Sequence, residues 1–185
     1  MESKKLLLVG LGNPGSKYFS NRHNIGFRMV DDLMEKKNIS FDHGKDCASS
    51  KFQTNSGIIY VLKPLEFMNL SGGCVQKIIS KFKILSRDIM VLHDELDFPF
   101  GTIKIKFSGG HAGHNGLRNI IDTIGSKDFY RIRFGIGRPE NKNYPIADYV
   151  LNNFSSEEEE KMNEYFAISY QLIQNWINDR IRDVE

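Results

Sequence analysis

Lys4-Lys5-Leu6-Leu7-Leu8-Val9 runs directly into Gly10-Leu11-Gly12-Asn13-Pro14-Gly15, and the architecture follows from how these residues are understood. Four apolar residues in succession, closed by a glycine and proline turn, are too short for a buried helix. They fit a strand covered on both faces. Ile58–Leu62 and Ile89–Leu92 repeat the pattern. Between the runs, apolar residues recur at helical spacing. Ile25, Met29 and Leu33 form one stripe, Val75, Ile78, Ile79 and Phe82 a second, and Leu117, Ile120, Ile121 and Ile124 a third. A long final helix carries Met162, Tyr165, Phe166, Leu172, Ile173 and Trp176, and Ser155-Ser156-Glu157-Glu158 ahead of it reads as a capping signature. Strands interleaved with helices predict an α/β fold with a mixed sheet flanked by helices. No repeat or long linker interrupts residues 1–185, so one domain is expected.

Two further segments alternate with period two. In Thr102-Ile103-Lys104-Ile105-Lys106-Phe107 both lysines share a face, and in Arg131-Ile132-Arg133-Phe134-Gly135-Ile136 both arginines do. Such strands either line a phosphate-binding surface or keep a sheet edge soluble. The 185 residues are 40% hydrophobic and 26% charged with a net charge of +2, which excludes a disordered or fibrous chain. The near-neutral total hides an asymmetry. Gly101–Arg138 holds seven bases against two acids, whereas the chain from Ser155 onward holds eight acids against three bases. A basic middle suits a polyanion partner, and equally two ordinary solvated faces. No apolar stretch approaches the roughly 20 residues that span a bilayer. The N-terminal apolar run is too short for a signal peptide and lacks a small-residue cleavage site. Cys47 and Cys74 are therefore expected as reduced thiols in a cytoplasmic protein.

Four segments carry candidate chemistry. Gly10-Leu11-Gly12-Asn13-Pro14-Gly15 has the spacing of a dinucleotide-binding loop. However, Asn13-Pro14-Gly15 is itself a turn, and no helix opens at its third glycine, so a nicotinamide cofactor is not expected. In Asn21-Arg22-His23-Asn24 the histidine has the pKa range of a general base, although a histidine ahead of a helix is more often a surface or capping residue. His93-Asp94-Glu95-Leu96-Asp97 supplies acids at the end of a buried strand, where α/β proteins place ligands. Ser108–Gly116 packs His111 and His114 among glycines. A metal held by these histidines and Asp97 is one reading, but the helical pairing of a zincin is missing. In Lys63–Gly72, Asn69 and Ser71 are candidate caps for the next helix, and Phe67-Met68 needs something to pack on.

Taken in order, VGLGNPG (9–15), NRHNIGF (21–27), KPLEFMNLSG (63–72), HDELDFPFG (93–101), GGHAGHNGLRNI (109–120), FGIGRP (134–139) and DYVLNNF (148–154) resemble the bacterial-type peptidyl-tRNA hydrolases over nearly the whole chain. The departures are small: Phe100 where the family often has a second proline, and variation at His111 and Ala112. The resemblance implies a single α/β globule with a mixed twisted sheet. It also implies hydrolysis, without metal or cofactor, of the ester joining a peptide to the 3′ end of tRNA. By motif position, His23 would be the base and Asp94 its carboxylate partner. Asn13 would recognise the peptide beside the ester. Tyr18, Phe67, Asn69 and Asn115 would contact the tRNA 3′ end, with Met68 and His114 lining the same cleft. Lys104, Lys106, Arg131 and Arg133 are then candidates for acceptor-stem phosphates. The implied partner is peptidyl-tRNA, with no membrane and no obligate protein partner.

Overall fold

The short apolar runs become the interior of a seven-stranded sheet in the computed structural model, which describes residues 3–182. The strands are β1 (Lys4–Gly10), β2 (Asp42–His43), β3 (Cys47–Gln53), β4 (Gly57–Pro64), β5 (Ile89–Glu95), β6 (Ile103–Phe107) and β7 (Tyr130–Gly135). Their order across the sheet is β2-β3-β4-β1-β5-β7-β6. The four central strands β4, β1, β5 and β7 run parallel, and the outer ones pair antiparallel with them or with each other. Among the described residues there are six α-helices: α1 (Ile25–Lys36), α2 (Gly72–Phe82), α3 (Asn115–Ile124), α4 (Ile146–Val150), α5 (Ser156–Glu160) and α6 (Met162–Arg182).

A strand buried on both faces needs a helical layer on each side, and β1 shows why. Leu6 and Leu8 join Met29, Val30 and Leu33 of α1 with Phe166, Ile173 and Trp176 of α6 in one core. Leu7 and Val9 join Val75 of α2 with Leu117 and Ile120 of α3 in the other. The mixed sheet flanked by helices is the architecture expected. None of the helices among the described residues is long and apolar enough to cross a membrane.

Three expectations are corrected. The final helix is broken: Ser155 and Glu158 form a capping box, but it starts the short α5, and α6 begins afresh at Met162. Ser71 does not cap α2. Its hydroxyl donates to the Met68 carbonyl, and the Gly72 amide is met instead by Asn119 Oδ1 of α3 at 2.7 Å. Nor are the cysteines reduced. Cys47 of β3 and Cys74 of α2 form a disulfide with their Cα atoms 5.8 Å apart. Their separation of 27 residues conceals a short path: Cys47 lies opposite Pro64 in the sheet, and α2 returns across that end of β4.

Candidate active site

All seven residues of β5 are buried, so its polar end, His93-Asp94-Glu95, is held inside the protein rather than on its surface. A buried carboxylate needs partners, and Asp94 has two. Nδ1 of His23, in the 3-10 turn Arg22–Asn24, lies 2.9 Å from both carboxylate oxygens. Nε2 of His114 lies 2.8 Å from Oδ1. The turn reaches Asp94 because α1 begins in close contact with the strand ends. A Cβ on Gly26 would lie 2.2 Å from the Leu92 carbonyl oxygen and 2.6 Å from the Leu11 amide, so only glycine lets the helix start settle there.

The hydrogen bonds fix the proton positions. His114 Nδ1 accepts from the Gly116 and Leu117 amides at the start of α3, at 3.2 and 3.3 Å. Its proton therefore sits on Nε2 and is donated to Asp94. His23 donates through Nδ1, which leaves its Nε2 as a free acceptor. Burial pushes the His23 pKa down, but the charge of Asp94 and its hydrogen bond outweigh this and hold it above the ordinary value. Burial pushes Asp94 up, yet the two imidazoles win and hold it well below the usual carboxylate range. His93 is the contrast. Its Nδ1 donates to the Asp94 carbonyl, and burial, with His114 adding to it, drives its pKa down to about 3. His93 stays neutral.

Beside this cluster opens a cavity of about 420 Å³, lined by His23, Asp94 and His114 and by Lys106, Arg131 and Arg133. Lys104 pairs across the strands with Arg133, and Lys106 with Arg131, so the four cations occupy one face of β6 and β7. That face is not uniformly wet. Arg131 is only 3% exposed, and its guanidinium donates to the carbonyls of Gly109 (Nη2) and Gly110 (Nη1, 2.6 Å), pinning the glycine loop. Arg133 is half occupied by Glu95, 3.1 Å from its Nε.

Asn13 is buried after β1, and its Oδ1 accepts from the Met68 amide at 2.8 Å, which leaves its NH2 group as a donor. Met68 is itself buried, whereas Phe67 is 57% exposed and meets Tyr18 edge-on with ring centroids 6.5 Å apart. Asn69 and Asn115 are exposed, Asn115 directly after His114. The metal set of His111, His114 and Asp97 is not brought together. Among the described residues the only such cluster is His23, Asp94 and His114, with ligand atoms within 4.8 Å of one another. Asp97 pairs instead with Arg138, and His111 accepts from the Gly113 amide.

The family described as "Peptidyl-tRNA hydrolase" matches residues 7–184. The chain belongs to the peptidyl-tRNA hydrolase family. Among its relatives in that family is the peptidyl-tRNA hydrolase of Sulfurimonas denitrificans, 42% identical over 97% of this chain and 94% of that protein. The chloroplastic peptidyl-tRNA hydrolase of Arabidopsis thaliana is 43% identical over 90% of this chain and 58% of its own. The crystal structure of the Acinetobacter baumannii peptidyl-tRNA hydrolase superposes with a TM-score of 0.84 at 34% identity, covering 98% of this chain and 95% of that one. The hydrolase activity that the resemblance implied is that of the family.

Residues to which the motifs assign no role also shape the site. Glu95 restrains Arg133, and Ile146, Ala147 and Val150 of α4 form an apolar cheek of the cavity. The five residues of α4 are too few to show a helical period, so its sequence carries no signal of a helix. Asn24 stands at a helix start within NRHNIGF, and nothing in the sequence says that its side chain turns away from that helix.

Proposed function

We propose that this protein hydrolyses the ester between a peptide and the 3′ end of tRNA, with His23 as general base and water as nucleophile. One observation carries the assignment: of the two imidazoles bonded to Asp94, only that of His23 keeps an unoccupied acceptor nitrogen. Asp94 fixes the Nδ1–H tautomer of His23. Nε2 then takes a proton from water as its oxygen attacks the ester carbon. Collapse of the tetrahedral adduct breaks the bond to the ribose oxygen, which takes the proton back from His23. The products are a peptide carboxylic acid, which releases its proton to solvent to become the carboxylate, and a tRNA with an intact 3′ terminus. An alkoxide leaving group makes a covalent intermediate unnecessary. The donor NH2 of Asn13 suits a peptide carbonyl beside the ester. The edge-to-face Tyr18 and Phe67, with Asn69 and Asn115, offer stacking and hydrogen bonding to unpaired terminal nucleotides. This chemistry needs no cofactor and no protein partner, and its substrate is proposed to be met in the cytoplasm with the translation machinery.

The clustering of His23, Asp94 and His114 favours one other reading, a divalent ion held by the same three side chains. A release assay on N-acetylaminoacyl-tRNA separates the two. We expect ester cleavage at the same rate with and without a chelator, whereas loss of cleavage on chelation favours the metal. A bound complex with no cleavage in either arm overturns the hydrolase assignment.

The basic face is proposed to meet acceptor-stem phosphates through Lys104, Lys106 and Arg133, with Arg131 acting through the loop it pins. Replacing those three residues by alanine should flatten the dependence of log affinity on log salt by about 2 to 3, near 0.9 for each phosphate no longer neutralised. An unchanged slope removes this face from tRNA binding.

A further inference from the structure

Asn24 follows the proposed base directly and occupies the N-cap position of α1, where asparagine ordinarily accepts from its own helix. It makes no such bond. Its side chain, in a residue only 2% exposed, crosses instead to the loop after β1. Oδ1 accepts from the Asn13 amide at 2.8 Å, and Nδ2 donates to the Asn13 carbonyl at 2.9 Å. The two bonds grip both polar groups of one residue's backbone, which fixes that residue's orientation as well as its distance. Asn13 in turn receives the Met68 amide on its own Oδ1. A further bond, Phe27 amide to Leu11 carbonyl at 3.0 Å, holds the same helix start to the same loop.

We propose that Asn24 is a positioning residue that holds Asn13 in register with His23, so that recognition of the peptide and delivery of the base share one rigid unit. This rests on the assignment of His23 as base and Asn13 as peptide contact. The residue is buried and touches no reacting atom, so it acts through Asn13. Rigid placement matters because a displacement of about 1 Å from productive geometry can cost on the order of 10²-fold in rate. Asp at this position keeps the Oδ acceptor for the Asn13 amide but loses the donor to its carbonyl.

The test is a kinetic cycle on wild type, Asn13→Ala, Asn24→Ala, Asn24→Asp and the double alanine variant, using N-acetylaminoacyl-tRNA and its unblocked counterpart. Wild-type turnover is measured first, because its absence overturns the hydrolase assignment and not this one. Given turnover, Asn24→Ala should lower kcat/KM about 10- to 100-fold and narrow the preference for the blocked substrate. Asn24→Asp should fall between it and wild type. The double variant should be no worse than Asn13→Ala alone, since Asn24 is proposed to act only through the Asn13 side chain, which the first change already removes. Losses that multiply in the double variant, or an unaltered preference for the blocked substrate in Asn24→Ala, overturn the proposal. If Asn24→Ala does not fold, Asn24→Asp carries the same comparison, and wild-type selectivity in it counts against the proposal.

Discussion

Replacing His23 with alanine should lower kcat by about 10²- to 10⁴-fold, the range expected when a positioned general base is lost, while affinity for tRNA should change little. The two halves of this expectation come from different parts of the structure. His23 is held by Asp94 through one nitrogen and keeps the other free, so its removal takes away the proposed proton acceptor. The basic face on β6 and β7 and the exposed Phe67 lie on other elements and remain in place. His114 does not take over. Its Nδ1 already accepts two backbone amides at the start of α3, and protonating it would break both bonds. Single-turnover release of N-acetylaminoacyl-tRNA, with nitrocellulose retention of tRNA on the same preparation, measures both quantities. Turnover within a fewfold of wild type takes His23 out of the mechanism.

How far the sequence alone reaches depends on how local the signal is. Leu6–Val9 and Ile89–Leu92 announce themselves because a strand buried on both faces is apolar at every position. β3 does not: Cys47-Ala48-Ser49-Ser50-Lys51-Phe52-Gln53 is half exposed, and its partner β2 is a two-residue edge. The site behaves likewise. Its motif residues are visible as types, but His23 and Asp94 are 71 residues apart, and it is the packing of the start of α1, with Gly26 against Leu11 and Leu92, that brings them into contact. Period-two alternation places Arg131 and Arg133 on one face correctly. It cannot show that Arg131 is buried under two glycine carbonyls, because those carbonyls come from a loop more than twenty residues earlier. Asn24 escapes for the same reason. A cap residue with ideal local chemistry spends its hydrogen bonds on a distant loop. The disulfide is the extreme case, since helix and strand periodicity say nothing about which two thiols meet.

Asp94→Asn is the more discriminating substitution, because it keeps the size of the side chain and changes only its charge and its donors. The carboxylate accepts from both imidazoles. An asparagine has one oxygen and one NH2 group, so it satisfies both neighbours only by accepting from His114 and donating to His23. Donation to His23 Nδ1 moves the imidazole proton to Nε2, the atom that should receive a proton from water. The expected loss in kcat is about 10²- to 10⁴-fold, the size seen when a triad histidine is forced into the wrong tautomer. The remaining activity carries a second signature. In the wild type the charge of Asp94 and its hydrogen bond outweigh burial and hold His23 above its ordinary pKa. The base is active when neutral, so kcat rises with pH through a midpoint above about 6.5. With asparagine the raising influences are gone and burial remains, so the midpoint must move to lower pH. A pH profile of kcat, with 15N shifts of His23 reporting the tautomer, tests both consequences at once. A slow variant with an unmoved midpoint and an Nδ1–H imidazole would mean that Asp94 sets neither the proton nor the pKa of His23.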